Sequence, residues 1–135
     1  MLVGMGIDLV AVSDFAELLA DKASRFVEAT FTAGEVAYSQ KAVSGQPARH
    51  LAARFAAKEA ALKAFDVACA LEGLTPPRVP LTDVEVTRDA AGRPWLTFHG
   101  EASALAERLG ADRAWVSLSH DGDYATAVVA LERLA

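Results

Sequence analysis

Leu2 to Val10 is a run of Leu, Val, Met and Ile interrupted by two glycines and Asp8 and followed by a polar turn, which predicts a strand. Ser13 or Asp14 is placed to cap a short helix reaching Ala20, and Thr32 with Glu35 three residues later forms a capping-box pattern ahead of a helix over Ala33–Lys41. Val43 to Pro47 reads as a loop, after which an Ala-rich helix is expected from about Ala48 to Phe65 and onward. Thr75-Pro76-Pro77 breaks the pattern. Between Val79 and Phe98 two strand-like runs flank a turn at Asp89–Gly92. A helix over Glu101–Leu109 ends at Gly110, and strands at Trp115–Ser119 and Tyr124–Leu131 flank a second turn at Asp121–Asp123. Three or four helices with about five hairpin-joined strands predict an α+β fold, an antiparallel sheet packed around a long central Ala-rich helix.

At 100° per residue the long helix shows two apolar faces. Ala53, Ala57, Ala60 and Ala64 form one that permits close packing; Leu51, Phe55, Leu62 and Phe65 form the other. A helix apolar on both sides belongs in the centre of a fold. Lys58 nevertheless falls inside the large-residue stripe, with Arg54 four residues before it, while Glu59 and Lys63 form an i,i+4 pair on the flank. Arg49 to Lys63 carries a net +3 inside a chain of net charge −5.

Composition narrows the class of molecule. With 135 residues, 53% of them hydrophobic, the chain is expected to form a single domain over 1–135 that needs no disulfide or metal to fold. The acidic balance argues against duplex nucleic acid as a partner. Cys69 is the only cysteine, which excludes an internal disulfide and any CxxC site and points to a reduced, cytoplasmic setting. No apolar run approaches the roughly 20 residues that span a bilayer, so no membrane partner is expected.

The charged residues of the helix admit two readings. Glu59 and Lys63 can be an ordinary helix pair, with Lys58 and Arg54 extending their ends to water. Alternatively, cations around one carboxylate suit a polyphosphate with a divalent metal. Asp8, between Ile7 and Leu9, is either a metal ligand at a strand end or a cap for the turn near Ser13. His120, at the end of Ser117-Leu118-Ser119-His120, is either structural or functional. Ser119, His120 and Asp121 cannot form a hydrolase triad, because consecutive strand residues point apart. Asp121-Gly122-Asp123 lacks the remaining ligands of a calcium loop and reads as a turn.

Gly6-Ile7-Asp8-Leu9, Arg54-Phe-Ala-Ala-Lys58-Glu59-Ala60-Ala-Leu-Lys63, Gly92-Arg93-Pro94 and Ser117-Leu118-Ser119-His120, in this order over nearly the whole chain, resemble the holo-[acyl-carrier-protein] synthases, the small 4′-phosphopantetheinyl transferases. The resemblance implies that family's fold and the transfer of phosphopantetheine from coenzyme A to a serine of an apo acyl carrier protein or carrier domain, with release of adenosine 3′,5′-bisphosphate, as in fatty acid biosynthesis. It implies Mg²⁺ held by Asp8 and Glu59, with Glu59 or a metal-ordered water accepting the serine proton. Lys63 would neutralise the leaving side, and Arg54 and His120 would contact phosphates of the adenosine half. Lys58 would support a phosphate or hydrogen-bond across the site, and Pro94 and Ser119 would line the coenzyme A site. It further implies a homotrimer with sites between protomers. Phe55 stands where many relatives have Trp, and Asp14 where many have a base that docks the carrier. Carrier recognition would then use Lys22, Arg25 or Arg49, or a less acidic carrier. A metal-dependent nucleotide pyrophosphate hydrolase and a non-catalytic oligomeric binding module are the competing readings.

Overall fold

A computed structural model describes residues 1–42 and 45–135; of the expected loop, Val43 and Ser44 lie outside the described residues. The elements are β1 (Leu2–Ala11), α1 (Val12–Ala20), α2 (Phe26–Thr30), α3 (Ala33–Lys41), α4 (Pro47–Leu71), a 3-10 turn at Leu81–Asp83, β2 (Val84–Arg88), β3 (Pro94–Phe98), α5 (Gly100–Leu109), β4 (Arg113–Asp121) and β5 (Tyr124–Glu132). Three strands form an antiparallel sheet in the order β1-β5-β4, and β2 pairs with β3 in a separate hairpin. The hairpin leans on the sheet through Trp95 and Trp115, whose ring centroids lie 6.0 Å apart.

The central helix runs six residues past Phe65. Pro47 opens it, where its missing N–H costs nothing. Gly73, at φ +67°, closes it in a Schellman arrangement: Leu74 N–H donates to the Cys69 carbonyl at 2.8 Å and Gly73 N–H to that of Ala70 at 3.2 Å. The capping box at Thr32 and Glu35 forms as expected, and Gly110 ends α5 in the left-handed conformation. α2, too short for a periodic signal, was not anticipated.

Neither Ser13 nor Asp14 caps α1. The cap comes from the β4–β5 turn, where the Asp123 carbonyl accepts from Val12 N–H at 2.7 Å and its carboxylate from Ser13 N–H at 3.0 Å and from the Ser13 hydroxyl. Asp8 therefore plays no part in capping that turn.

The strand β1 is turned the opposite way from a simple buried strand. Gly4 and Gly6 face α4, whereas Met5, Ile7 and Leu9 face outward, Ile7 and Leu9 each 64% exposed. The inward glycines meet the small-residue face of α4 backbone to backbone. A Cβ on Gly6 would collide with the Ala60 carbonyl, and one on Gly4 with that of Ala64. Around this contact lie Val3, Ala57, Phe65, Val129 and Leu131, while Phe15, Phe31 and Leu51 build a second cluster under α1 and α2.

Replacing Gly6 with alanine should destabilise the fold by about 3 kcal/mol or more, since neither backbone can move without disrupting its own hydrogen bonds. Urea unfolding with an unchanged midpoint would show that strand and helix can part at no cost.

Candidate active site

Inward orientation of β1 places Asp8 on the same face as Gly6, directed at α4. Its main chain is held by the Thr126 hydroxyl, which donates to the Asp8 carbonyl at 2.7 Å. Lys63 sits one helical turn beyond Glu59, and its ammonium donates to the Ile7 carbonyl at 2.9 Å and to Asp8 Oδ1 at 3.0 Å. The ion pair formed by Lys63 is thus with Asp8, across the strand–helix contact, and not the i,i+4 pair with Glu59 that the spacing suggests. Asp8 and Glu59 line one open cavity of about 440 Å³ with Phe15, Leu18 and Phe55. Burial first, then the Asp8 carboxylate, push the Glu59 carboxyl above its ordinary range, partly offset by Lys63. Two carboxylates thus face one cavity with a single ammonium bonded to one of them, which leaves the site short of positive charge.

A second cavity, of about 280 Å³, has the opposite character. Arg49, His50, Ala53 and Arg54 from the start of α4, Arg88 and Pro94 from the ends of β2 and β3, and Leu118, Ser119 and His120 from β4 line it. No carboxylate is among these lining residues. Burial, then the fields of Arg54 and Arg88, hold the His50 imidazole below its usual pKa, so it adds no charge at neutral pH. Arg54 is only 1% exposed. Its guanidinium carbon lies 4.1 Å from the Tyr38 ring centroid, its Nη1 donates to the His50 carbonyl at 3.2 Å, and its buried Nε has no partner among the described residues. Arginines around a concave surface with an unspent buried donor suit a phosphate.

Lys58 belongs to neither cavity. It is fully buried, and its three donors are spent on Glu35 Oε1 at 2.7 Å, the Leu81 carbonyl at 2.9 Å and the Val84 carbonyl. The expected contact from Lys58 to a phosphate is therefore not met. The anomaly in the apolar stripe is resolved by an internal carboxylate, not by a ligand. Likewise, Arg54 does not extend to water. The structure gathers Asp8, Glu59 and Lys63 at one place and Arg54, Pro94, Ser119 and His120 at another. Arg88 and His50 were missed as site residues, and Arg49, taken for a carrier-docking cation, lines the second cavity. The hairpin register pairs Arg88 with Pro94, which is the signal that would have found it.

A family model described as the 4′-phosphopantetheinyl transferase superfamily matches residues 4–129. The chain is 46% identical over 134 residues to the holo-[acyl-carrier-protein] synthase of Geobacter sulfurreducens, covering 98% of this chain and 99% of that protein. It is 44% identical over 131 residues to the synthase of Mycobacterium tuberculosis, covering 97% of each. Among solved structures, the ACPS–CoA complex from Chronobacterium ammoniagenes superposes with a TM-score of 0.81 at 37% identity, over 98% of both chains. The chain belongs to the 4′-phosphopantetheinyl transferase superfamily. It is an enzyme of that transferase class, and its curated relatives carry the name holo-[acyl-carrier-protein] synthase.

The raised Glu59 pKa carries a sign for stability. The folded state binds the Glu59 proton more tightly than the unfolded chain does. The corresponding stability is therefore present below the unfolded value of 4.5 and is lost as pH rises through the folded one. Thermal melts in chelator should accordingly show Glu59→Gln more stable than the parent at pH 7 and equal to it near the acid end of this window. A variant less stable than the parent at pH 7 would contradict the electrostatics described.

Proposed function

We propose that the protein transfers 4′-phosphopantetheine from coenzyme A to a serine of an apo acyl carrier protein or carrier domain, releasing adenosine 3′,5′-bisphosphate. The observation that carries this reading is the convergence of Asp8 and Glu59, 51 positions apart in the chain, on one cavity with Lys63 bonded to Asp8. The relatives' names supply the reaction class, and the Chronobacterium complex supplies coenzyme A as the ligand of a similar chain.

The residues fit Mg²⁺. Asp8 and Glu59 are hard oxygen donors that line one cavity with a single ammonium nearby, and such a pair suits a divalent cation. An ion held by one or two carboxylates, keeping its other positions for water and phosphate oxygens, is how Mg²⁺ is commonly bound. Asp8 and Glu59 would hold it, and when bound it supplies positive charge to the diphosphate. The carrier serine Oγ attacks the β-phosphorus and its proton passes to the Glu59 carboxylate or an ordered water. The bond from the β-phosphorus to the bridging oxygen breaks, and the Lys63 ammonium neutralises the charge left on the α-phosphate side. Positioning and charge neutralisation account for most of the rate in such a step.

Arg54 and His120, with Ser119 and Pro94 beside them, take the phosphates of the adenosine half. The acid pair lies at β1 and the cationic cavity at β4, the two outer strands of the sheet. The outward row of Met5, Ile7 and Leu9 leaves β1 an apolar surface of the kind that oligomers cover. Both features support a homotrimer in which the β1 site of one protomer faces the β4 cavity of its neighbour. Asp14 lines the acid-pair cavity and Arg25 is engaged with Glu28 at 2.9 Å. An acid at position 14 supports either a carrier recognised through other cations or a less acidic carrier.

With coenzyme A, Mg²⁺ and an apo carrier protein, the carrier should gain the mass of one phosphopantetheine, and Asp8→Ala should abolish the gain. Lys63→Ala should lower kcat more than it raises KM. Free phosphopantetheine without a carrier would indicate a hydrolase, and absence of heat on titrating coenzyme A with Mg²⁺ would indicate a binding module.

If the site is shared between protomers, mixing inactive Asp8→Ala and Arg54→Ala proteins after subunit exchange should restore part of the activity. Mixtures as inactive as their components would place the whole site in one chain.

A further inference from the structure

Of the three arginines that line the cationic cavity, Arg54 and Arg88 repel each other, and something must hold them. Tyr38, on α3, is in reach of both: the Arg54 guanidinium carbon lies 4.1 Å and that of Arg88 5.0 Å from its ring centroid. Each guanidinium is also tied to the main chain, Arg54 to the His50 carbonyl and Arg88 Nη1 to that of Gly92 at 2.5 Å. Burial and then the Arg88 charge pull the Arg54 pKa down, with Tyr38 and Glu35 opposing the shift. A carboxylate could hold two arginines as firmly, but it would cancel the field that attracts an anion. An aromatic face attracts both cations through its quadrupole and leaves their charge intact. α3 itself is fixed one turn earlier, where Glu35 is ion-paired to the buried Lys58.

We propose that Tyr38 is a positioning residue of the cationic cavity, clamping Arg54 and Arg88 so that their free donors, Arg54 Nε among them, converge on a phosphate monoester. The inference rests on the coenzyme A reading above and adds to it the residues that select the 3′-phosphate. Arg88 becomes a direct phosphate ligand, and Tyr38 acts through both arginines without touching substrate.

The test uses the full-length protein, its Tyr38→Leu, Tyr38→Met and Tyr38→Phe variants, and calorimetry with adenosine 3′,5′-bisphosphate and adenosine 5′-monophosphate. Tyr38→Leu or Tyr38→Met should weaken the bisphosphate about tenfold, in line with loss of cation–π contacts, and leave the monophosphate unchanged. In turnover, the same variants should raise KM for coenzyme A at constant kcat and leave KM for 3′-dephospho-coenzyme A unaltered. Tyr38→Phe, which keeps the ring and loses only the hydroxyl's hydrogen bond to Arg54, should retain most of the parent's preference for the bisphosphate. Equal weakening of both nucleotides, or none, in a variant that melts cooperatively would overturn the role of Tyr38 while leaving the coenzyme A reading intact. A parent protein that does not distinguish the two nucleotides would remove that reading and this inference together.

Discussion

The ion pair of Lys58 and Glu35 ties more of this molecule together than any other polar contact described. The Glu35 carboxylate accepts from Lys58, from Thr32 N–H at 2.9 Å and from Val86 N–H at 2.9 Å, and Lys58 donates onward to the carbonyls of Leu81 and Val84. One buried pair thereby joins α3, α4, the 3-10 turn and β2. Burial pulls the Lys58 pKa down and Glu35 opposes that shift, so the pair survives because every donor and acceptor is used. Losing one partner of such a pair costs about 3–5 kcal/mol, because it strands the other. The geometric effect matters more for chemistry. α3 carries Tyr38, α4 carries Arg54 and β2 ends at Arg88, so the pair that fixes these three elements also fixes the walls of the cationic cavity.

The molecule separates its charges in a way that its net charge conceals. An acidic chain keeps arginines together at a concave surface with no acid among the lining residues, and crowds two carboxylates at another. Low-dielectric walls strengthen both fields. Such a division of charge suits a small ligand with phosphates at separate points along its length better than a uniformly charged polymer.

Much of this was readable from residue order. Thr32 with Glu35, Gly110 and the two turns at Asp89–Gly92 and Asp121–Asp123 marked local structure because their chemistry acts within a few residues. The α+β class followed from the hairpin-joined strands between helices, and the central position of the Ala-rich helix from its two apolar faces. What escaped reading depends on tertiary contact. Lys58 stood out in its stripe, but its partner Glu35 already had a local explanation as a capping-box residue and so drew no suspicion. Ser13 looked like a cap because the true cap, Asp123, arrives from 110 positions away. Tyr38 and Arg88 share no spacing with Arg54. The outward turn of β1 is not marked in one dimension, because glycines on one face and large apolar residues on the other read simply as an apolar strand.

That strand has a bearing on how the site responds to heat. Because β1 lies on α4 with only hydrogen atoms where side chains would be, the spacing between Asp8 and Glu59 is set by main-chain packing and not by flexible side chains that could loosen one at a time. Softening of loops leaves such a spacing untouched, and it disappears only when the sheet leaves the helix. The placement of β1 on α4, and with it the main-chain spacing beneath the acid pair, is therefore retained or lost as a unit.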